Sequence, residues 1–380
     1  MKSYDIRTKI HFGDNALDRI LELEYKKIMV ITDPFIKESG LLSNVTDRLQ
    51  QAFIDYAVFS DVVPDPPIEK ISLGVKRILE YDPDCVIAIG GGSAIDSAKS
   101  IREFATRANN KEIALIAIPT TSGTGSEVTS FAVVTDTTNN IKYPLVSESM
   151  LPTEAILDAE LVKSVPASIT ADTGMDVLTH AIEAYVSINN NEFSAALAEK
   201  AIEICGSFLL RSYLDNNDRH ARAKMHVASC LAGLAFNSAS LGLNHGIAHA
   251  IGARFHIPHG RANAIVLPHV IEFNSGINKH SKSRESYPKC VEKYCNVAKL
   301  LGVNNFNEIT TIRALTGWIQ FMNKEMNIPL SISQCGIEKS EYMNAVEQMA
   351  EKAIGDACTK TNPRVPSKAD VCLILEHLYN

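Results

Sequence analysis

The sequence predicts an α/β N-terminal dinucleotide-binding domain with a mostly parallel sheet over residues 1–165, and an all-α C-terminal domain over residues 166–380. Three observations predict this organisation. Short apolar runs alternate with helical patterns up to about residue 160. From Ala167 onward the pattern is helical, rich in Ala and Leu, and without a convincing strand. The length of 380 residues also exceeds the ~250–300 residues at which a single core stops growing.

Four apolar runs predict the strands of the sheet, at residues 28–33, 56–59, 85–89 and 113–118. Amphipathic patterns at 68–80 and 94–107 predict helices between them. Continuous apolar strands separated by helices are typical of a parallel sheet that is covered on both faces. Two further strands are expected at 128–135 and 141–146, joined by a polar turn, at a sheet edge or over a ligand.

Composition and charge exclude several classes of protein. The net charge of −7 argues against a nucleic-acid partner, which normally requires a basic face. Residues 225–253 contain no Asp, Glu, Lys or Arg, but their His, Asn and Ser side chains would be costly in lipid. We therefore expect buried helices and no membrane partner. The N-terminus lacks the apolar segment of a secretory signal, and eight cysteines without a C-x-x-C pair fit a reduced, cytoplasmic protein.

Two polar loops predict a nucleotide site. The third strand runs into Gly90-Gly91-Gly92-Ser93 and then a helix, an arrangement that brings backbone N–H groups close to a pyrophosphate. The fourth strand ends in a turn at 119–127 that is rich in Thr, Ser and Gly. Either loop alone is equally well explained as a tight turn. Both together, at the carboxyl ends of neighbouring strands, favour nucleotide binding.

Asp33 closes the first predicted strand and bears on the choice of nucleotide. Its carboxylate could accept hydrogen bonds from ribose hydroxyls and would repel a 2′-phosphate, which favours NAD. The same residue fits a helix N-cap, because Pro34 follows it and proline is favoured at the first helical position. The two roles are compatible.

Histidines concentrate in one segment of the second domain and predict a metal site. Five of the eleven histidines lie between residues 245 and 269. Asp176 and His180 are four residues apart on a predicted helix and so share a face, and His245 and His249 repeat that spacing. Spacing alone favours His245 with His249, and it does not decide against a set that uses His259. Asp and His ligands suit Zn²⁺ or Fe²⁺.

Four segments together resemble the iron-containing (group III) alcohol dehydrogenase family, and the resemblance covers nearly the whole chain. They are GGGSAID at 90–96, PTTSGTGSEVT at 119–129, TGMDVLTHAIEAY at 173–185 and AFNSASLGLNHGIAHAIGARFHIPHGRANAIVLPHV at 235–270. Within the family the sequence is most similar to propanol and ethanol dehydrogenases of diol and ethanolamine fermentation, mainly through residues 129–158.

The resemblance implies roles for individual residues. The implied metal ligands are Asp176, His180, His245 and His259. The family places His249 beside the nicotinamide and substrate instead, and Asp33 beside the adenosine ribose. The implied remainder of the cofactor cleft between the domains is Gly91, Gly92 and Ser93 on the pyrophosphate, with Thr120, Thr121, Thr124, Val133, Lys142 and Leu161. One departure is Pro64-Asp65-Pro66, where many members have Asn in the middle position, so Asp65 is left out of the site.

These observations predict an NAD-dependent, metal-dependent oxidoreductase that interconverts a small primary alcohol and its aldehyde, such as 1-propanol and propanal or ethanol and acetaldehyde. Fe²⁺ is the expected metal with Zn²⁺ as the alternative, and His249 is the expected proton relay. The family also leads us to expect a homo-oligomer in the cytoplasm or in a bacterial microcompartment, associated with an aldehyde-producing enzyme.

Two alternatives remain from the sequence. One is a metal- and NAD-dependent lyase resembling dehydroquinate synthase, which would need several basic residues for a phosphate-bearing substrate. The ligand region offers only Arg254 and Arg261. The other is a non-catalytic metal-binding or nucleotide-binding relative, and the presence of both sites argues against it.

Overall fold

The computed structural model describes residues 4–137, 141–277 and 287–380, apart from the side chains of residues 141 and 142. The chain divides into two units, Met1–Ser164 and Val165–Asn380. The first unit holds a parallel sheet with helices, and the described residues of the second form helices and turns without a strand. The predicted fold class is confirmed. The predicted domain boundary after residue 165 lies one residue from the observed division.

The first unit is built around a six-stranded sheet whose neighbouring strands are all parallel, in the order β1-β8-β5-β4-β2-β3. The strands of this unit are β1 (Lys9–Phe12), β2 (Lys27–Ile31), β3 (Asp55–Phe59), β4 (Cys85–Gly90), β5 (Ala114–Pro119), β6 (Phe131–Asp136), β7 (Ile141–Val146) and β8 (Glu154–Leu157). Its helices are α1 (Pro34–Glu38), α2 (Ser43–Gln51), α3 (Ile68–Tyr81) and α4 (Gly92–Asn109), with short 3₁₀ turns at Ala16–Glu22, Ser126–Val128, Glu148–Met150 and Ala159–Val162.

Strand β4 shows why the central strands read as continuous apolar runs. Successive side chains of a strand point to opposite faces of the sheet. Cys85, Ile87 and Ile89 pack into one hydrophobic cluster, and Val86 and Ala88 pack into a second cluster on the other face. All five side chains are fully buried. Both faces of the sheet are therefore covered, as the sequence predicted.

Strands β1 and β8 were not predicted, because neither has the apolar run of a central strand. Each is four residues long, and they pair with each other in parallel from Lys9 opposite Glu154. Glu154 is buried and accepts two hydrogen bonds of 2.9 Å from the guanidinium of Arg19, with His11 at 2.7 Å. Because a charged residue interrupts the apolar run at this position, hydrophobicity alone does not predict the strand.

Strands β6 and β7 form a separate antiparallel pair, with Phe131 opposite Val146. The two strands were predicted, although β6 begins three residues later than expected because residues 126–128 form a 3₁₀ turn. Residues 138–140 of the predicted polar turn lie outside the described residues.

The second unit consists of helices, several of which begin with well-formed caps. Asn191, Asn307 and Ser367 each complete a capping box, in which side chain and backbone satisfy each other's hydrogen bonds at the helix start. The helices are α5 (Ala167–Val186), α6 (Glu192–Leu214), α7 (Arg219–Ala239), α8 (Leu243–Phe255), α9 (His259–Ser275), α10 (Pro288–Leu300), α11 (Glu308–Glu325), α12 (Lys339–Gly355) and α13 (Lys368–Leu378), with 3₁₀ turns at Ser333–Cys335 and Cys358–Thr361.

The junction between α8 and α9 brings the start of α9 directly onto α5. His256 ends α8 in the left-handed conformation, with φ of 55°, and α9 begins three residues later at His259. At Gly260 a Cβ atom would overlap the carbonyl oxygen of Asp172 on α5. Arg261 adds two hydrogen bonds to the Asp172 carboxylate, of 3.2 and 3.1 Å. This close contact fixes the position of His259.

The uncharged stretch at 225–253 is shared between α7 and α8. Among the described residues, no individual helix has the length and apolar character to cross a membrane. Helices α7 and α8 meet that criterion only when taken together, and they are bent by 106° relative to each other.

Substituting Gly260 by Ala should destabilise the protein by about 1–3 kcal/mol, because the added methyl group overlaps the backbone of α5. Gly317 provides a matched control, since it lies in α11 with nothing within 4 Å of an added Cβ. There the same change should stabilise by about 0.5–1 kcal/mol through helix propensity. Denaturant unfolding of both variants measures the difference, and equal effects would contradict the close contact at Gly260.

Candidate functional site

Four side chains from three helices of the second unit converge on one point. Asp176 and His180 lie one turn apart on α5, His245 lies on α8, and His259 opens α9. One ligand atom from each lies within 4.8 Å of all the others. Asp176 Oδ1 is 3.9, 3.8 and 3.5 Å from the Nε2 atoms of His180, His245 and His259, respectively. His259 is the exposed member of the set, with 43% of its side chain accessible.

Ring stacking sets the planes of the buried imidazoles. The ring of His180 stacks on those of Phe236 and His245, at centroid distances of 4.6 and 4.7 Å. The interplanar angle is 30° with Phe236 and 18° with His245, so the two imidazole rings are nearly parallel. Packing thereby holds two of the four groups in the orientation that directs their Nε2 atoms toward Asp176.

Glu183 sets the tautomer of His245. One carboxylate oxygen of Glu183 lies 2.5 Å from His245 Nδ1, and the other accepts the backbone N–H of Asn244 at 2.7 Å. Burial raises the pKa of Glu183, and the backbone N–H donors of Asn244, His245 and Gly242 act against that rise and favour the carboxylate. Burial and the neighbouring imidazoles lower the pKa of His245 well below its ordinary value. A neutral His245 that donates Nδ1–H to Glu183 directs the lone pair of Nε2 toward the cluster.

The cluster fits a divalent metal by the chemistry of its donors. It offers three imidazole nitrogens and one carboxylate oxygen, all within 4.8 Å of one another. Asp176, His180 and His245 are buried, whereas His259 is exposed. Imidazole and carboxylate ligands suit Zn²⁺ and Fe²⁺, and a site with one open side leaves room for a substrate.

His249 lies next to this cluster without joining it. Its Nδ1 is 2.8 Å from the Asp356 carboxylate, and its ring stacks on that of His259 at a centroid distance of 5.2 Å. Burial acts against ionisation of Asp356, but the hydrogen bonds from His249 and Cys358 hold the pKa of Asp356 below its usual range. The side chain of His249 is 42% exposed. The structure thus groups the four residues that the resemblance implies, whereas the i, i+4 spacing alone would have paired His245 with His249.

The two polar loops of the first unit lie against each other. The N–H of Thr120 donates to the carbonyl oxygen of Gly90 at 3.0 Å. A Cβ at Gly91 would meet Thr121 Oγ1 at 3.5 Å, and one at Gly92 would come within 2.8 Å of Thr124 Cγ2. The contact at Gly91 would be ordinary, so it is at Gly92 that the absence of a side chain lets the first loop pass this close to the second. The loops follow β4 and β5, which are adjacent in the sheet, so their approach is a consequence of the strand order.

Asp33 lies at the same edge of the sheet, after β2. It caps α1 by accepting the N–H of Ile36 at 2.9 Å, with Pro34 at the first helical position. Its other carboxylate oxygen would lie 3.1 Å from a Cβ placed on Gly90. The predicted N-cap is therefore present, and the carboxylate lies beside the glycine loop.

The other residues predicted to bind the cofactor differ in their contacts and burial. Ser93 lies in the first turn of α4, and the backbone N–H of Val133 donates to Asp96 at 3.0 Å. Leu161 is completely buried in the hydrophobic cluster under the sheet and presents no surface to a cofactor. The side chain of Lys142 lies outside the described residues.

A buried lysine ties α4 to the chain segment beyond the second loop. Lys99 is fully buried, and its Nζ donates to Thr129 Oγ1 at 3.0 Å and to the carbonyl oxygen of Phe131 at 2.9 Å. Burial lowers the pKa of Lys99 to about 8, and the charges of Asp96 and Glu127 act in the opposite direction. Asp96 Oδ1 also accepts from Ser126 Oγ at 2.5 Å. This network fixes the second loop on the helix that follows the first.

The sequence analysis did not identify the residues that orient the predicted site residues through hydrogen bonds without being site residues themselves. Glu183 had a detectable signal, because it lies three and seven residues after His180 and Asp176 and so shares their helix face. Asp356 had none, since it lies 107 residues from its partner His249. Lys99 was not identified because it lies in an amphipathic helix pattern, where a charged residue is expected to be exposed.

Comparisons with known proteins agree with this geometry. The family model described as "Iron-containing alcohol dehydrogenase" matches residues 7–159, and "Fe-containing alcohol dehydrogenase family, C-terminal" matches residues 170–379. The chain is 41% identical to a 1-propanol dehydrogenase of Citrobacter freundii over the whole of both chains. It is 38% identical to an NADPH-dependent butanol dehydrogenase of Clostridium saccharobutylicum, over 100% of this chain and 98% of the relative. Among solved structures, a 1,3-propanediol oxidoreductase matches all of both chains with a TM-score of 0.90 and 30% identity.

Substituting Lys99 by Met should cost at least about 3 kcal/mol of stability, because hydrogen bonds to charged groups contribute about 1.5–3 kcal/mol each and two are lost. Lys111→Met is the control, since Lys111 pairs with Asp82 at the surface, where solvent screens the interaction. Denaturant unfolding compares the two variants. A Lys99 variant as stable as the control would show that the buried lysine does not fix the loop.

Proposed function

The chain belongs to the iron-containing alcohol dehydrogenase family, and we propose that it prefers NAD and holds its metal through Asp176, His180, His245 and His259. It is a metal-dependent alcohol/aldehyde oxidoreductase. We propose a small primary alcohol as substrate, such as 1-propanol or ethanol, and Fe²⁺ as the metal. The convergence of these four ligand atoms within 4.8 Å is the observation that carries the proposal.

The proposed metal ligands have different roles at the metal centre. When bound, the metal supplies Lewis acidity toward the substrate oxygen, and the nicotinamide exchanges hydride with the carbinol carbon. His180 and His245 are held by stacking and by Glu183, and Asp176 supplies the negative charge of the set. The exposed side of His259 leaves this part of the cluster open to a substrate.

His249 is the proposed proton relay, and Asp356 orients it. The Asp356 carboxylate accepts a hydrogen bond from His249 Nδ1–H, which leaves the Nε2 lone pair free to take the hydroxyl proton during alcohol oxidation. Asp356 then stabilises the imidazolium that forms. In aldehyde reduction the same ring returns the proton. The exposure of His249 gives the proton a route to solvent.

The proposed preference for NAD is supported by the position of Asp33 beside the glycine loop. A 2′-phosphate at this position would meet like-charge repulsion. The butanol dehydrogenase relative uses NADPH, so membership of the family does not by itself decide the preference.

The pairing of the two arginines disfavours the alternative of a lyase with a phosphate-bearing substrate. Arg254 Nη2 lies 3.5 Å from the Glu341 carboxylate, and Arg261 is bound to Asp172. Arg261 is therefore engaged by a half-buried carboxylate, and Arg254 alone, in a surface ion pair, is fewer than the several basic residues that such a substrate requires. Two of the proteins named above are dehydrogenases and the third is an oxidoreductase, which also disfavours a non-catalytic role. The cytoplasmic or microcompartment location, the homo-oligomer and the association with an aldehyde-producing enzyme stay predictions.

Alanine substitutions should separate the ligand His259 from the relay His249. His259→Ala should lose both metal and turnover, because it removes one of four donors. His249→Ala should retain metal and lose turnover by about 10²–10⁴-fold, as is usual for a general acid–base group. Elemental analysis beside single-turnover rates measures both. Full metal in the His259 variant, with none in the His249 variant, would reverse the assignment.

Replacing Asp33 should narrow the preference for NAD over NADP by at least about tenfold in kcat/KM, equivalent to about 1.4 kcal/mol. Asp33→Asn keeps an effective N-cap while removing the charge, and Asp33→Gly costs the helix only a few tenths of a kcal/mol. Both should act mainly by improving NADP binding. A wild-type protein that prefers NADP, or a ratio that neither variant moves, would refute the role of Asp33.

A further inference from the structure

A buried amide lies beside the proposed metal ligands and contacts three of them. Asn263 is completely buried on α9, one turn after His259. Its Nδ2 is 2.7 Å from Asp176 Oδ1, 3.2 Å from His245 Nε2 and 3.1 Å from His259 Nε2. These are atoms of three of the four proposed metal ligands, His180 being the fourth. Asn263 was not among the residues singled out from the sequence.

The hydrogen-bond partners fix the orientation of this amide. The Asp176 carboxylate has only lone pairs to offer, so the NH₂ group of Asn263 must face it. On the other side, Asn244 Nδ2 donates to Asn263 Oδ1 at 2.8 Å and to its backbone oxygen at 3.3 Å. Asn244 and Asn263 are both fully buried. The amide cannot flip without placing a donor against a donor and an acceptor against a carboxylate.

We propose that Asn263 is a positioning residue of the metal centre, whose NH₂ group holds Asp176, His245 and His259 together and fixes Oδ1 as the oxygen facing the imidazoles. The inference rests on the proposed ligand set. Three groups that each present a lone pair to the same point repel one another, and the two N–H bonds of Asn263, shared among them, relieve that repulsion in the metal-free site. The donor also engages Asp176 Oδ1 itself, so it sets which carboxylate oxygen is directed at the metal.

A purely structural role would make a different prediction. Asn274 is the matched residue for comparison, because it is equally buried on the same helix but far along it from the ligands. Its Nδ2 donates to Tyr294 Oη at 3.0 Å and to Asn362 Oδ1 at 3.1 Å. Loss of the amide at Asn274 should lower the midpoint temperature of unfolding by the same amount with and without metal.

The first test is thermal unfolding of wild type, Asn263→Asp and Asn274→Asp, each as zinc-free and as zinc-loaded full-length protein. Asn263→Asp keeps the shape but replaces the donor by an oxygen, so four lone-pair groups face one another unless a cation lies between them. Its loss of midpoint temperature should be several degrees larger in the zinc-free than in the zinc-loaded protein. Asn274→Asp should lose equally in both. Equal losses in both states for Asn263→Asp would overturn the proposal.

The second test is the rate at which zinc passes from the loaded protein to a chelator. Asn263→Ala removes the donor without adding charge. If Asn263→Asp does not fold, this variant alone tests whether Asn263 positions the metal ligands. It should release zinc about 10–100-fold faster than wild type, as is usual for loss of a group that orients a metal ligand. An unchanged rate would overturn the proposal. If zinc does not stabilise the wild-type protein at all, the proposed metal site itself fails, which distinguishes the two claims.

Discussion

The arrangement of the second unit depends on one buried carboxylate. Glu183, on α5, accepts the backbone N–H groups at the start of α8 and the Nδ1–H of His245 on that helix. A carboxylate is stabilised at a helix N-terminus, where backbone N–H groups are unpaired and the helix dipole is positive. The same contact therefore fixes the register of α8 against α5 and the direction of the His245 lone pair. Because α8 is fixed in register, His249 lies one turn further on, beside Asp356.

The sequence predicted the elements whose signal is local. The i, i+4 pair Asp176 and His180 placed two groups on one helix face, and the apolar run of β4 predicted a strand buried on both sides. The choice of His259 over His249 was not available from spacing, because it depends on the turn at His256 and on the contact of Gly260 with α5. The resemblance to a family supplied it. Strand β8 was missed for a related reason, since its Glu154 is neutralised by Arg19, 135 residues away.

Both units use buried polar groups to hold the groups proposed to bind ligands. In the first, Lys99 and Asp96 fasten the second loop to α4, while the glycines allow the first loop to lie against it. In the second, Glu183, Asn244 and Asn263 orient the proposed metal ligands. Such groups are costly to bury unless they are hydrogen-bonded, so each network favours one arrangement over its alternatives. Hydrophobic patterns do not reveal them, because they appear in the sequence as isolated polar residues in apolar helices.

We propose that one divalent metal, held by these four residues, is required for the oxidation of a primary alcohol. The most direct measurement is NADH formation from 1-propanol by metal-depleted protein as Fe²⁺ is added back anaerobically, with bound metal determined in the same samples. Activity should be negligible without metal and should rise in proportion to bound metal until one equivalent per chain is reached. Full activity in the metal-depleted protein, or a rise that continues well beyond one equivalent, would contradict the account.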